Sequence, residues 1–291
     1  MVRDFTKGSV PRTLLIFMLP FMASNAFQVL YSTVDMIIVG QFVGSAGLPA
    51  VAQGSQLLNF ATMLCTGFCT GGQVLIAQLI GAERREKLSG VIGTLFSSML
   101  LLGLAFSVGL ILLRRPLLRL LNMPTESFDM AVTYLTICGF GLIFTFGYNM
   151  VSAVLRGMGD SKHPFWFITL ASGINVALDL LFTGCLGWGV AGAAAATILG
   201  QAVSFLYSLS FLYRRRVSFS FDFRRESWRI QGVYLKPIVQ QGVPLAISSS
   251  AVYFSMFFVN SMVNQVGVVA SATFGVGVKL DDICTKVSLF L

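Results

Sequence analysis

Charge is what this sequence has least of. Only 11% of its 291 residues are Asp, Glu, Lys or Arg, against about 25% in an average soluble protein. So few charges cannot clothe a water-exposed surface of this size. With 55% hydrophobic residues and a mean hydropathy of +0.80, the chain is placed in a bilayer. Histidine is nearly missing: His163 stands alone in a polar loop, where it reads as solvated, so the usual constellations of an enzyme have nothing to build on. Cysteine is sparse. Cys65, Cys69, Cys138, Cys185 and Cys284 are odd in number and mostly inside apolar stretches. No spacing among them suggests a disulfide framework or a metal site, and they read as small hydrophobes. The opening "MVRDFTKGSVPRT" lacks the apolar core and cleavage site of a signal peptide, so the first apolar segment is expected to be a retained helix. The net charge of +8 belongs, in so apolar a chain, to cytoplasmic loops rather than to nucleic acid.

What is present is a series of long apolar runs, roughly 13–40, 51–80, 90–113, 129–153, 165–185, 190–212, 237–262 and 268–291. A membrane β-barrel would show alternating segments of about 10 residues. Uniform runs of this length predict helices, since only these satisfy their own backbone in lipid. The expected fold class is therefore an all-α integral membrane protein. With the amino-terminus cytoplasmic, Arg3, Lys7, Arg12, Arg84, Arg85, Lys87, Arg156, Lys162, Arg214, Arg215, Arg216, Arg224, Arg225, Arg229 and Lys236 all fall inside. Arg114, Arg115 and Arg119 fall outside, and that asymmetry sets the orientation. The latter three sit in "LLRRPLLRLLNMP", which reads as a short interfacial helix.

The basic stretch 214–236 reads as a cytoplasmic linker lying on anionic headgroups. It divides a six-helix amino-terminal lobe, 1–213, from a remainder, 237–291. That remainder resembles a restart. Pro20 and Ser24 match Pro244 and Ser248, and "VGSAGLPAVAQGSQL" aligns with "VGVVASATFGVGVKL". Internal repeats are usual in secondary transporters. The remainder is expected to be the first two helices of a second, repeat-related lobe, and the chain, which ends in "VSLFL", a truncated form of a twelve-helix protein.

An ionisable group at the bilayer centre costs at least about 2.5 kcal/mol and marks function. Within the first six runs only Asp35 and Asp179 are acids in such a position. Ser24, Gln28, Tyr31 and Asp35 are spaced by four, three and four, one stripe of a helix; Ser172, Asn175 and Asp179 repeat the pattern, as do Thr197, Gln201 and Ser204. No basic residue lies mid-helix in these six runs to pair with either acid. Two such carboxyls share a proton or a hard cation among oxygens. In the eighth run Lys279, Asp281, Asp282 and Lys286 read as mutually neutralising, a structural pair. Pro20, on the helix of Asp35, permits a bend there.

The segments "VDMIIVGQFVG", "GGQVLIAQLIGA", "LRGMGDSKHP", "INVALDLLF" and "GVAGAAAATILGQ" together resemble the multidrug and toxic compound extrusion family. The resemblance implies two six-helix lobes around a central cavity. It implies export of organic, often cationic compounds in exchange for Na+ or H+, with no cofactor besides the coupling ion. It assigns that cation to Asp35, Asn175, Asp179 and Thr197 and places Gln28, Tyr134 and Asn149 along the substrate cavity; the polar stripe adds Tyr31 to that cavity, and the bend that proline permits makes Pro20 the expected hinge. It further implies a multi-pass protein of a bacterial or archaeal inner membrane. Its partners would be small organic substrates and membrane lipid, not nucleic acid, with the missing second-lobe helices completing it. The seventh run has no acid, which counts against the branch that couples there. The rival reading is a flippase for lipid-linked saccharides or peptidoglycan precursors, which would use basic cavity residues absent from the first lobe.

Overall fold

The computed structural model describes residues 10–216, 221 and 225–288, and every regular element among them is helical. Eight long helices follow one another: α1 (Val10–Phe42), α2 (Gly47–Gly81), α3 (Leu88–Leu120), α4 (Thr125–Gly157), α5 (Lys162–Asp179), α6 (Val190–Arg214), α7 (Gly232–Val266) and α8 (Val268–Ser288). Six stretches among the described residues are long and apolar enough to cross a membrane: Gly47–Gly81, Arg85–Leu120, Thr125–Gly157, Lys162–Cys185, Val190–Arg214 and Gly232–Val266. The helices outrun the apolar segments because a helix of 33 residues rises about 50 Å, more than the roughly 30 Å of hydrocarbon.

That overrun corrects the reading of "LLRRPLLRLLNMP". It is no separate interfacial helix but the last turns of α3, helical through Pro116 to Leu120. The Arg114 guanidinium donates to the Ile111 carbonyl, and Leu118 is fully buried beneath. Asn122 ends the helix with φ +50, while the Met123 amide returns to the Leu118 carbonyl.

The turn in "LRGMGDSKHP" is built with similar economy. Gly159 takes φ +81, and the Asp160 amide caps the end of α4 through the Leu155 carbonyl at 2.9 Å. Asp160 Oδ1 then accepts from the amides of Lys162 and His163, each at 3.2 Å, at the start of α5. His163 is not simply solvated. Its Nδ1 lies 2.5 Å from Asp160 Oδ2 and its ring centroid 4.3 Å from that of Phe211.

α4 is the hub, packed on α2, α3 and α6 with more than half of its residues buried. The core falls into two clusters. One gathers Cys65, Cys69, Ile76, Ile92, Leu95, Phe146 and Val151, the other Val39, Ala50, Leu118, Leu135 and Ala193. Cys65, Cys69 and Cys138 are buried, whereas Cys185 is exposed. α7 lies along α2 at backbone distance: a Cβ on Gly71 would come within 2.4 Å of the Ile238 carbonyl oxygen, and one on Gly242 within 2.8 Å of Phe68 Cα. Small residues permit this approach, which dispersion and carbonyl contacts reward in an apolar solvent.

The described part of the linker does not merely follow the membrane surface. Phe221 is 1% exposed. Arg225–Trp228 forms one 3-10 turn docked on α3. Ser97 donates to the Trp228 carbonyl at 2.6 Å, the Gln231 amide donates to Thr94 Oγ1 at 3.2 Å, and the Trp228 and Phe96 rings meet edge to face at 4.8 Å. Apolar burial and backbone hydrogen bonds, rather than charge alone, hold this segment.

Candidate functional site

The stripe of α1 faces a cavity of about 170 Å³. Gln28, Tyr31, Ser32 and Asp35 form one wall. α2 adds Ser55, Asn59 and Thr62; α4 adds Tyr134, Cys138, Thr145, Tyr148 and Asn149; α6 adds Thr197 and Gln201; α8 adds Lys279. A narrow cleft lined by Tyr31, Ser172, Asn175, Thr197 and Gln201 connects this wall with α5. Ser24 serves the backbone beside the proline instead. Its hydroxyl donates to the Pro20 carbonyl at 2.8 Å, and α1 stays helical through the proline.

Asp35 and Asp179 are neighbours, near enough for each carboxyl to act directly on the other. They are 6% and 0% exposed. Six of the nine buried side-chain nitrogens and oxygens that lack a partner among the described residues cluster here: Asp35 Oδ1, both Asn175 amide atoms, both Asp179 oxygens and Gln201 Oε1. Elsewhere in folded proteins such atoms are nearly always satisfied. Ionised carboxylates only accept hydrogen bonds, so two neighbours cannot satisfy each other without a proton or cation between them. Thr197 donates its own hydroxyl hydrogen to the Ala193 carbonyl at 3.0 Å, which leaves its oxygen as an acceptor. Apart from the Asn175 amide nitrogen, the unpartnered atoms here are oxygens, the ligands a hard cation prefers. Among the described residues no group of three or more His, Cys, Asp or Glu forms a metal cluster, and the two carboxyls here are those of Asp35 and Asp179.

The chain around Asp179 is unusual. Directly after it, Leu180–Cys185 widens into a π-helical turn, in which the Leu186 amide reaches the Leu181 carbonyl at 2.8 Å. Such turns recur at functional sites because they release backbone from the regular ladder. The apolar run 165–185 gave no sign of this change. Gly189, at φ +59, then opens α6, and a Cβ on Gly192 would stand 2.9 Å from Thr183 Oγ1, so that a larger residue there would push the wide turn aside.

The supporting contacts join the quoted motifs. Arg156 Nε donates to Gln73 Oε1 at 3.1 Å, and its guanidinium stands 5.4 Å from the Phe21 ring centroid, one residue from Pro20. Tyr134 shares a hydrogen bond of 3.1 Å with Ser55. Asn149 Nδ2 donates to the Thr145 carbonyl at 2.8 Å.

All four residues expected at the cation, and all four expected along the cavity, thus converge on one region of the first six helices. Sequence reasoning missed the wall from α2, although Ser55, Asn59 and Thr62 carry the same four-three spacing as α1. It also placed Lys279 differently. Instead of serving only its own helix, Lys279 Nζ donates to Ser32 Oγ of α1 at 3.3 Å and borders the cavity. The side chains of Asp282 and Lys286, its expected neighbours, lie outside the described residues.

The MatE family model matches residues 20–181. A probable multidrug resistance protein, YpnP of Bacillus subtilis (strain 168), is 33% identical over 97% of this chain and 62% of its own length. A second from the same organism, YoeA, is 31% identical over 93% and 60%. This chain thus spans about three-fifths of the curated relatives it matches. A solved structure described as the inward-facing conformation of a multidrug resistance MATE family transporter of the MOP superfamily superposes with a TM-score of 0.80. It is 28% identical, covering 86% of this chain and 56% of that one. With the family model matching more than half of its residues and the membrane-spanning helices laid out as above, this multi-pass membrane protein belongs to the MatE family, the multidrug and toxic compound extrusion transporters.

Proposed function

We propose that the chain is the amino-terminal lobe, with the first two helices of a second lobe, of a secondary-active antiporter that exports organic, often cationic compounds in exchange for Na+ or H+. The observation that carries this reading is the buried pair Asp35–Asp179, with its unpartnered oxygens, set beside a polar cavity. Asp35, Asn175, Asp179 and Thr197 take the coupling cation; Gln28, Tyr31, Tyr134 and Asn149 meet the substrate. A cavity of about 170 Å³ is below the roughly 300–1,000 Å³ of sites for drug-sized ligands. Loading therefore requires the lobes to part, with Pro20 as the hinge of α1. Cation binding drives the change only through unequal affinity for the two states.

The lobe division draws support from packing. α7 lies on α2 and α8 on α1, the two pairs that a twofold exchange of α1–α2 with α7–α8 produces. Arg84, Arg85 and Lys87 between α2 and α3, Lys162 at the start of α5, and Arg214–Arg216 at the end of α6 fall on one side if successive helices alternate in direction across the membrane, which supports a cytoplasmic amino-terminus in a bacterial or archaeal inner membrane. The relatives are multidrug resistance proteins, which favours this reading over a flippase.

The test is efflux of a cationic dye from cells expressing the protein, with imposed Na+ or pH gradients. Asp35→Asn and Asp179→Asn, at equal membrane expression, are expected to abolish ion-driven efflux. Undiminished ion-driven efflux in both variants rejects the coupling site.

A further inference from the structure

We propose that Arg156 gates the end of the cavity that faces the α4–α5 turn. Its guanidinium ties three helices together there and sets a fixed positive charge against leakage of small cations. The proposal rests on the reading of the cavity as the transport path.

Helix periodicity places the gate. Gln28, Thr62 and Asn149 line the cavity from α1, α2 and α4. Phe21 stands seven residues from Gln28, Arg156 seven from Asn149, and Gln73 eleven from Thr62. Seven and eleven residues are about two and about three turns, so each residue keeps the face of its cavity-lining counterpart. All three steps lead toward the same end, the start of α1 and the ends of α2 and α4. There the three side chains meet. Arg156 Nε donates to Gln73 Oε1 at 3.1 Å, and the guanidinium carbon lies 5.4 Å from the Phe21 ring centroid.

One side of this contact is fixed and the other can move. A Cβ on Gly157 would lie 2.8 Å from the Gln73 carbonyl oxygen and 3.1 Å from Ile76 Cβ, so α2 and α4 touch backbone to backbone beside the arginine. Phe21 instead follows Pro20, which gives α1 no amide to bond at that turn. A bend there withdraws the ring and leaves the bond to Gln73 in place.

Charge decides what the closed contact excludes. A guanidinium stays protonated across the physiological range. Among the described residues no carboxylate pairs with it; the ion pair at this end is His163–Asp160. Arg156 is partly buried, where water screens its charge poorly. An arginine in a narrow passage is an electrostatic barrier to protons and small cations. Phe21 and Gln73 carry no charge and leave that barrier standing. When the ring withdraws, water enters the wider passage and screens the guanidinium, so a bulky organic cation can pass. One contact thus holds back the small ion when closed and admits the large one when open.

The test uses Cys138, a native thiol lining the cavity. The background carries Cys185→Ser and Cys284→Ser, and a further Cys138→Ser variant measures labelling of Cys65 and Cys69. Inside-out membrane vesicles are treated with a cationic and an anionic methanethiosulfonate, and initial labelling rates are compared. In Arg156→Gln the ratio of cationic to anionic labelling is expected to rise about tenfold, as removal of a poorly screened charge a few ångströms away implies. Arg156→Lys, which keeps the charge, is expected to hold the background ratio. Phe21→Leu is expected to speed both reagents equally, since the guanidinium remains; it also tests the gate if Arg156→Gln fails to reach the membrane. An unchanged ratio in Arg156→Gln, or an equal rise in Arg156→Lys, overturns the charge barrier. Unchanged rates in Phe21→Leu overturn the gate. No coupling ion enters these measurements, so the two readings fail separately. Failed labelling predictions with efflux abolished by Asp35→Asn remove the gate and leave the cation site standing. Undiminished ion-driven efflux in the aspartate variants with labelling as expected removes the cation site and leaves the gate.

Discussion

Gln53 of α2 donates to Asn260 of α7 at 2.9 Å, joining residues 207 positions apart in the interior of the bundle. The Asn260 amide in turn donates to Gln56, one turn along α2. Asn264 continues the chain of bonds, giving its amide to the Leu121 carbonyl at 2.6 Å and accepting from Ser271 of α8 at 2.6 Å. Asn122 reaches Ser261 at 2.7 Å. Polar groups from α2, α7, α8 and the end of α3 thus form a clasp in an otherwise apolar contact.

Replacing one member of the clasp leaves its partner buried and unpaired, which costs about 1–3 kcal/mol. Gln53→Leu and Asn260→Leu are each expected to lower Tm. The double variant is expected to lose less than both together, because it removes both amides. Thermal unfolding of the four proteins decides the matter; strictly additive losses would show that the two amides do not depend on each other.

Gly93 is a sharper case. A Cβ there would sit 1.6 Å from the Ser227 carbonyl oxygen, so Gly93→Ala cannot coexist with the docked linker. Overpacking of this kind costs about 1–3 kcal/mol. Faster proteolysis within 215–231 is expected. Gly109→Ala, with nothing within 4 Å, is the control on the same helix and is expected to leave the cleavage rate unchanged.

Gly71→Ala tests the backbone contact between α2 and α7. The added methyl meets the Ile238 carbonyl at 2.4 Å, a position no rotamer avoids. The helices must separate, and Tm is expected to fall by more than in Gly81→Ala, whose Cβ meets nothing. Equal Tm values in the two variants would contradict the close packing.

Gly54→Ala acts on the cavity instead. Its methyl would stand 2.3 Å from the Tyr134 ring, which must swing and lose its bond to Ser55. A changed rank order of exported compounds is expected, with less change in Tm than for Gly71→Ala, because a side chain yields where a backbone does not. An unaltered substrate profile would count against the proposed role of Tyr134 in meeting the substrate.

Much of this was legible in the sequence for energetic reasons. A carboxyl at membrane depth is too costly to be incidental, so Asp35 and Asp179 announce themselves, and helical spacing adds Gln28, Tyr31 and Asn175 to them. Helix number followed from hydropathy. The less legible parts depend on where helices meet. Lys279 read as a partner for its own helix because i, i+3 spacing is visible locally, while the bond to Ser32 arises from a register that only packing sets. Nothing in the sequence sets Asn260 and Asn264 apart, because their partners on α2 and at the end of α3 lie more than a hundred residues away. The wide turn after Asp179 left no trace, since Leu180–Cys185 has the composition of any apolar helix.

The docking of Gln231 on Thr94 gives α7 a fixed fulcrum. Gly232–Val266 contains 35 residues, a lever about 50 Å long. One degree of swing about the near end carries the far end roughly 1 Å, by the same helix rise. Hydrogen bonds weaken steeply beyond about 3.2 Å. A rigid swing of a few degrees about Thr94 would therefore carry Asn260 and Asn264 out of hydrogen-bonding reach together, so the far end of α7 is where a small rotation would be felt first.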